Sequence, residues 1–200
     1  MKHERLNPKS LYIIAGCNGA GKTTASMTIL PEILTCKEFV NADEIARGIS
    51  PFNPSAVAVS AGKVMMKRID ELLEHDETFA IETTLASKVF TKTIKIAQSK
   101  GYTVALLFFW LQSVELAKKR VEARVKSGGH NVKADVIERR YRSGIKNLFE
   151  LYAPIVDVLN IYNNTEELEL IAQKKSKTAE LFIIDKSKYG QIGCHYAKIR

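Results

Sequence analysis

The chain has 200 residues, of which 46% are hydrophobic and 26% charged, and its formal net charge is +8 at pH 7. These values are typical of a globular protein, and they favour one compact domain over residues 1–200. No window reaches the roughly 18 apolar residues of a membrane helix, and the first eight residues contain no apolar signal segment. The three cysteines form no C-x-x-C pair, which argues against a disulfide framework. We therefore expect a cytoplasmic protein that has no membrane contact.

The first predicted element is an apolar strand over 11–15 that leads into a phosphate-binding loop. Residues 16–23 read GCNGAGKT and match the P-loop pattern G-x-x-x-x-G-K-[ST] at every fixed position. In such a loop, backbone N–H groups at a helix N-terminus surround an anion, Lys22 reaches the β- and γ-phosphates, and the Thr23 hydroxyl can ligate Mg²⁺. The residues predicted to bind the nucleotide here are Gly16, Asn18, Gly19, Ala20, Gly21, Lys22, Thr23 and Thr24.

Further apolar segments alternate with helical ones along most of the chain. This alternation predicts an α/β fold with a parallel sheet and right-handed crossovers. In such sheets, ligands bind beyond the carboxyl ends of the strands. The later predicted strands are 38–41, 78–82, 103–111, 158–162 and 180–185, and the predicted helices between them include 55–75 and 88–100.

Two carboxylates stand where predicted strands end. Asp43 follows the strand 38–41, and Glu82 closes the strand 78–82. Phosphoryl transfer to an alcohol needs a group that accepts the hydroxyl proton and groups that hold Mg²⁺. We therefore expect Asp43 to be the general base, and Glu82 to contact the metal or the acceptor. The alternatives are that Asp43 caps the next helix and that Glu82 is a capping or structural acid.

Residues near these strand ends are predicted to form the wall of the acceptor site. Thr83 follows Glu82 directly, and the helix over 55–75 carries Ser60, Lys63 and Arg68. These side chains suit a polar acceptor but do not identify it. Of this group, Thr83 and Arg68 are the expected acceptor contacts.

Residues 115–142 are predicted to form a lid. A basic helix over 115–126 is interrupted by the two glycines at 128–129, and a second basic helix begins near residue 134. Arginine supplies a permanent charge and paired donors, so such helices can close over the phosphates. A solvated basic face is the alternative. The arginines expected at the phosphates are Arg120, Arg124, Arg139 and Arg140, with Arg124 and Arg140 acting on the transferring group.

The run from residue 11 to about 165 resembles the zeta-toxin-like P-loop kinases in their compact form. The matching segments are GCNGAGKTT at 16–24, FVNADEIA at 39–46, FAIETTL at 79–85, GGHNV at 128–132 and IERRY at 137–141.

This resemblance implies a fold of the nucleoside-monophosphate-kinase type with an arginine-bearing helical lid, and ATP and Mg²⁺ as cofactors. It also implies that Asp43 activates a sugar hydroxyl of a UDP-N-acetyl amino sugar, that Glu82 contacts this substrate, and that an antitoxin protein is a candidate partner. It supports ATP-dependent phosphotransfer more strongly than it supports the sugar-nucleotide acceptor.

Other functions remain open at this point. An ATPase would share the P-loop and transfer phosphate to water, whereas the guanine-reading N-K-x-D motif of GTPases is absent. The charge of +8 also allows a kinase or binding module directed at nucleic acid. The basic residues concentrate in the lid and in a late segment over 178–200, which is read as a strand ending at a turn at Asp185 and then a basic tail. No strip of interleaved aromatic residues accompanies them, so nucleic acid is the less favoured partner.

Overall fold

The computed structural model describes residues 9–129 and 131–199, so the predictions on residues 1–8 and on His130 lie outside it. The strands are β1 (Ser10–Ala15), β2 (Glu38–Val40), β3 (Phe79–Thr83), β4 (Thr103–Trp110), β5 (Val158–Asn163), β6 (Glu169–Lys174) and β7 (Phe182–Ile183). They form one sheet in the order β2-β3-β1-β4-β5-β6-β7. The first five strands are parallel, and β6 and β7 are antiparallel at one edge. The predicted α/β fold is confirmed, with a sheet that is mostly parallel.

Helices connect the parallel strands and cover the sheet. Within the described residues they are α1 (Lys22–Thr28), α2 (Ala42–Ile49), α3 (Ala58–Glu74), α4 (Phe90–Ser99), α5 (Val114–Lys126), α6 (Ala134–Asn147) and α7 (Lys186–Ala197). In this part of the chain, no helix is both long enough and apolar enough to cross a membrane.

The core lies along the central strands β1 and β4. Leu11, Ile13 and Ile14 are fully buried in β1, and all of β4 after Thr103 is buried. Both strands have a neighbour on each side and helices on the faces, which explains why their sequences are apolar without alternation. The register pairs Ile14 with Glu82, so the end of β3 lies beside the start of the P-loop.

β6 was not predicted from the sequence, and the strand predicted over 180–185 is shorter than expected. That strand has only two residues, Phe182–Ile183, and pairs antiparallel with β6. In β6, Glu169, Gln173 and Lys174 interrupt the apolar pattern, and the Lys174 ammonium donates to the backbone oxygens of Ala153 and Val156 at 2.9 and 2.8 Å. A charged residue in a strand is therefore stabilised by tertiary contacts that no local pattern shows.

The segment after Asp185 was predicted to be a basic tail, but it forms the helix α7. The Asp185 side chain caps this helix by accepting the N–H of Lys188 at 2.9 Å. Ile192 is fully buried, and Tyr189 and Tyr196 pack against the ring of Phe149. Two interior glycines lower the helix propensity of this segment, so packing decides its structure.

Candidate functional site

The loop between β1 and α1 has the backbone of a phosphate-binding loop. Gly16, Gly19 and Gly21 have φ angles of 144°, 83° and 79°. A Cβ atom on Gly16 would lie 2.3 Å from the backbone oxygen of Phe109, and one on Gly21 would lie 2.5 Å from Nδ2 of Asn164. The backbone conformation therefore favours glycine at all three positions, and at Gly16 the close backbone oxygen excludes a side chain as well.

Lys22 is held at this loop by the loop itself and by a carboxylate. Its Nζ donates to the backbone oxygen of Cys17 at 3.0 Å and lies 3.6 Å from Oε1 of Glu82, and its side chain is only 6% exposed. Burial raises the pKa of the Cys17 thiol to about 11, so this group stays neutral near pH 7. Thr24, two residues after Lys22, is exposed in the first turn of α1. The cation is thus fixed where the motif requires it.

The Glu82 carboxylate connects three elements at the carboxyl edge of the sheet. Its Oε2 accepts a hydrogen bond from the Thr23 hydroxyl at 2.8 Å and another from Nδ2 of Asn41 at 3.0 Å. Its other oxygen faces Lys22, and the side chain is 9% exposed. The structure therefore places Glu82 beside the P-loop, and its contact with Asn41 was not predicted.

Asn41, at the junction of β2 and α2, is a site residue that the sequence analysis missed. It is the N-cap of α2, where its Oδ1 accepts the backbone N–H of Asp43 at 2.8 Å. The alternative that Asp43 caps this helix is therefore wrong, because Asn41 already does so. The available signal was an asparagine, a favoured N-cap residue, at the end of a predicted strand.

A cavity of about 710 Å³ opens beside the P-loop, between α2, α3, the start of α4 and α6. Its size suits a small-molecule ligand. Three residues expected to be catalytic, Lys22, Asp43 and Arg140, line it together with Glu82 and Thr83. The remaining lining residues are Asn41, Ala42, Val59, Gly62, Lys63, Met65, Met66, Lys67, Asp70, Thr84, Val89 and Phe90.

Arg68 was an expected acceptor contact, but the structure places it outside this cavity. Its guanidinium pairs with Glu38 at 2.8 Å and Glu71 at 3.3 Å, and it lines a separate groove of about 730 Å³. Lys63, on the same helix, does line the cavity. The five-residue separation turns the two side chains about 140° apart around the helix axis, since a turn takes 3.6 residues. The acceptor role expected of Arg68 is therefore not retained.

The four lid arginines are not equivalent in the structure. Nη1 of Arg140 donates to Oδ1 of Asn18, a buried P-loop residue, at 3.1 Å. Arg124 and Arg139 are exposed, and the side chain of Arg124 packs against Gly129. Arg140 is thus brought to the phosphate-binding loop.

Arg120 binds a loop that the sequence analysis did not include in the site. Its guanidinium donates to the backbone oxygens of Asn164 and Thr165, both at 2.8 Å. In turn, Nδ2 of Asn164 donates to the backbone oxygen of Ala20 in the P-loop at 2.8 Å. The loop after β5 is thus bonded to both the P-loop and the lid helix α5. The signal was the polar run at 163–165 that follows an apolar strand.

Comparisons with known proteins agree with this geometry. The family model described as "Zeta toxin" matches residues 1–176. An uncharacterized protein of Haemophilus influenzae is 30% identical over 126 residues, which are 63% of this chain and 88% of that protein.

Two solved structures illustrate the shared fold. A chain of the AvrRxo1-ORF1:-ORF2 structure with ATP has a TM-score of 0.75 at 15% identity, over 92% of this chain and 63% of that one, so this chain spans less than two thirds of its length. A chain of the PezAT chromosomal toxin–antitoxin system of Streptococcus pneumoniae has a TM-score of 0.62 at 18% identity, over 100% of this chain and 91% of that one.

At such low identity, the structural likenesses show the fold alone, whereas the family match spans most of the sequence. The shared fold and the family match both agree with the P-loop geometry. The chain belongs to the zeta toxin family.

Proposed function

We propose that this protein transfers the γ-phosphoryl group of MgATP to a hydroxyl group of a small molecule. One observation carries the proposal: Lys22, Asp43, Glu82 and Arg140 line a single cavity that opens beside the P-loop. A cation for the phosphates, a carboxylate for the metal, a base and an arginine are the groups that phosphoryl transfer needs.

The nucleotide phosphates bind the P-loop through its backbone N–H groups and Lys22. On ATP binding, Lys22 exchanges part of its present contact with the Cys17 carbonyl for phosphate oxygens. Arg120 and Asn164 support this side of the site, because together they join the lid helix, the loop after β5 and the P-loop.

Mg²⁺ fits the residues at the end of this loop. Within the described residues, no cluster of three or more His, Cys, Asp or Glu could hold a metal by itself. Nucleotide-bound Mg²⁺ needs only one or two protein ligands, since phosphates and water supply the rest. The Thr23 hydroxyl and the Glu82 carboxylate, 2.8 Å apart, would be those ligands. When bound, the ion would neutralise charge on the phosphates.

Asp43 is the proposed base for the acceptor. Because Asn41 caps α2, the Asp43 carboxylate is not needed as a cap and lines the cavity instead. It takes the proton of the acceptor hydroxyl as that oxygen bonds to the γ-phosphorus and the bond to the ADP oxygen breaks. Arg140 stabilises the charge of the transferring group, and the exposed Arg124 and Arg139 are further candidates for this role.

The family suggests the finer features of the proposal. A UDP-N-acetyl amino sugar is the acceptor that the zeta-toxin resemblance implies, and Thr83 lies in the cavity beside Glu82 to contact it. The PezAT structure comes from a toxin–antitoxin system, so an antitoxin protein is the proposed macromolecular partner. The cysteines at 17, 36 and 194 are unpaired, in keeping with a reducing compartment such as the cytoplasm.

Product analysis with ATP labelled at the γ-phosphate tests the function. The protein is incubated with Mg²⁺ and small-molecule alcohols, including UDP-N-acetyl amino sugars, and separately with polynucleotides. We expect the label on a small-molecule hydroxyl and none on the polynucleotides. Label found only on water, or on polynucleotide ends, would contradict the proposal and favour an ATPase or a nucleic-acid kinase.

The Asp43→Asn variant tests the base. The amide has nearly the shape of the carboxylate but cannot take a proton, so transfer should fall about 10²-fold, the lower end for general-base catalysis. MgATP affinity, measured by calorimetry, should stay at the wild-type value. The matched control is Glu44→Gln, which removes the neighbouring carboxylate that pairs with Arg47 instead. An Asp43→Asn variant that transfers at close to the wild-type rate would show that Asp43 is not the base.

Asn41→Ser and Asn41→Ala separate the two hydrogen bonds of this amide. Serine can still cap α2 but cannot reach Glu82, whereas alanine does neither. Transfer should fall at least about tenfold in both variants, since small misplacements of reacting groups are costly. Asn41→Ala should also lower the free energy of unfolding by ~1 kcal/mol, measured by urea denaturation, whereas Asn41→Ser should not. Wild-type transfer by Asn41→Ser would mean that Asn41 acts as a helix cap alone.

A further inference from the structure

The cavity beside the P-loop has two chemically different parts. The groups assigned to the reaction, Lys22, Asp43, Glu82 and Arg140, lie on the P-loop, α2, β3 and α6. The wall formed by α3 and the start of α4 instead presents apolar side chains beside three charged ones. The apolar side chains are those of Val59, Met65, Met66, Val89 and Phe90, and the charged ones are those of Lys63, Lys67 and Asp70.

Two of these apolar side chains stand out because they are exposed. Val59 is 77% exposed and Val89 is 48% exposed, while Met65 and Phe90 on the same wall are buried. Exposed valines that line a cavity leave apolar surface in water, which a ligand of matching character would cover.

Gly62 gives a second, independent observation on the same wall. It lies inside α3, where glycine is less favourable than alanine. A Cβ atom built on it would have no other atom within 4 Å, so no packing constraint excludes a side chain. Yet Gly62 lines the cavity, where its missing side chain leaves bare backbone facing the ligand space.

We propose that the acceptor is an alcohol carried on a flat apolar body, such as an aromatic or heterocyclic ring, which lies against Gly62 and the apolar side chains of α3 and α4. The inference rests on the proposed function and names the substrate class for the same site. The ring packs on the glycine backbone, and the hydroxyl group extends toward Asp43. An acceptor that is polar throughout, such as an open-chain polyol, would leave this wall uncovered.

Two glucosides provide a matched pair of probes. 1-Naphthyl β-D-glucoside and methyl β-D-glucoside carry the same sugar hydroxyls and differ only in the presence of a flat apolar ring. Their dissociation constants are measured on the full chain with Mg²⁺ and a non-hydrolysable ATP analogue, which fill the nucleotide site. We expect the naphthyl compound to bind at least about tenfold more tightly, because its ring surface is removed from water. Equal affinities would overturn the inference.

Gly62→Gln locates this preference within the molecule. Glutamine favours a helix, so the variant should melt at or above the wild-type temperature. Its side chain would fill the ring site, and naphthyl binding should weaken at least about tenfold. The control is Gly193→Gln in α7, another helical glycine with open space around it, which lies outside the cavity. Unchanged naphthyl binding in Gly62→Gln would contradict the proposal.

A second variant keeps the test valid if Gly62→Gln does not fold. Val59→Asp changes a mostly exposed side chain, and the charge that it adds to the wall should weaken naphthyl binding to the same extent. Unchanged binding in that variant would overturn the inference. Nucleotide binding is measured separately: a wild type that does not bind MgATP contradicts the proposed function, whereas one that binds MgATP but shows no preference for the ring contradicts only this inference.

Discussion

The buried carboxylate of Glu82 is the constraint on which the site depends. A carboxylate that is only 9% exposed is costly unless it is paired and hydrogen-bonded. Its partners come from the P-loop and from the β2–α2 junction, 59 and 41 residues away in the sequence. Satisfying this one group therefore fixes Lys22, Thr23 and Asn41 relative to each other. The strand order brings these groups together, because β3, which carries Glu82, lies between β2 and β1.

The same arrangement separates structural from reactive roles among neighbouring polar residues. Asn41 both caps α2 and donates to Glu82, so Asp43 faces the cavity without a capping role. In the loop after β5, Asn164 also bonds to both the P-loop and α5. Its amide donates to the backbone oxygen of Ala20, and its backbone oxygen accepts a hydrogen bond from Arg120. Asn164 therefore bonds to the P-loop directly, whereas Asn41 is connected to it through Glu82, which accepts a hydrogen bond from the Thr23 hydroxyl.

Much of this site could be predicted because its signals are local. The P-loop is a contiguous motif, and Asp43 and Glu82 follow apolar strands whose carboxyl ends must meet in a parallel sheet. Arg68 was expected at the acceptor because the angular positions of side chains around the axis of α3 were not considered. These positions place Lys63, and not Arg68, at the cavity. The contact of Asn164 with the P-loop spans 144 residues and leaves no periodic pattern to recognise. The helix α7 was not predicted either, because its interior glycines lower the helix propensity and packing stabilises it instead.

Calorimetric titration with ATP tests whether Glu82 couples bound Mg²⁺ to the P-loop. Titrations with Mg²⁺ and with Mg²⁺ removed are compared for wild type, Glu82→Gln and the exposed control Glu74→Gln at the end of α3. We expect Mg²⁺ to tighten ATP binding at least about tenfold in wild type and the control, a free-energy difference of about 1.4 kcal/mol. Glu82→Gln should lose most of this difference. If Glu82→Gln kept the wild-type Mg²⁺ dependence, Glu82 would not couple the metal to the P-loop.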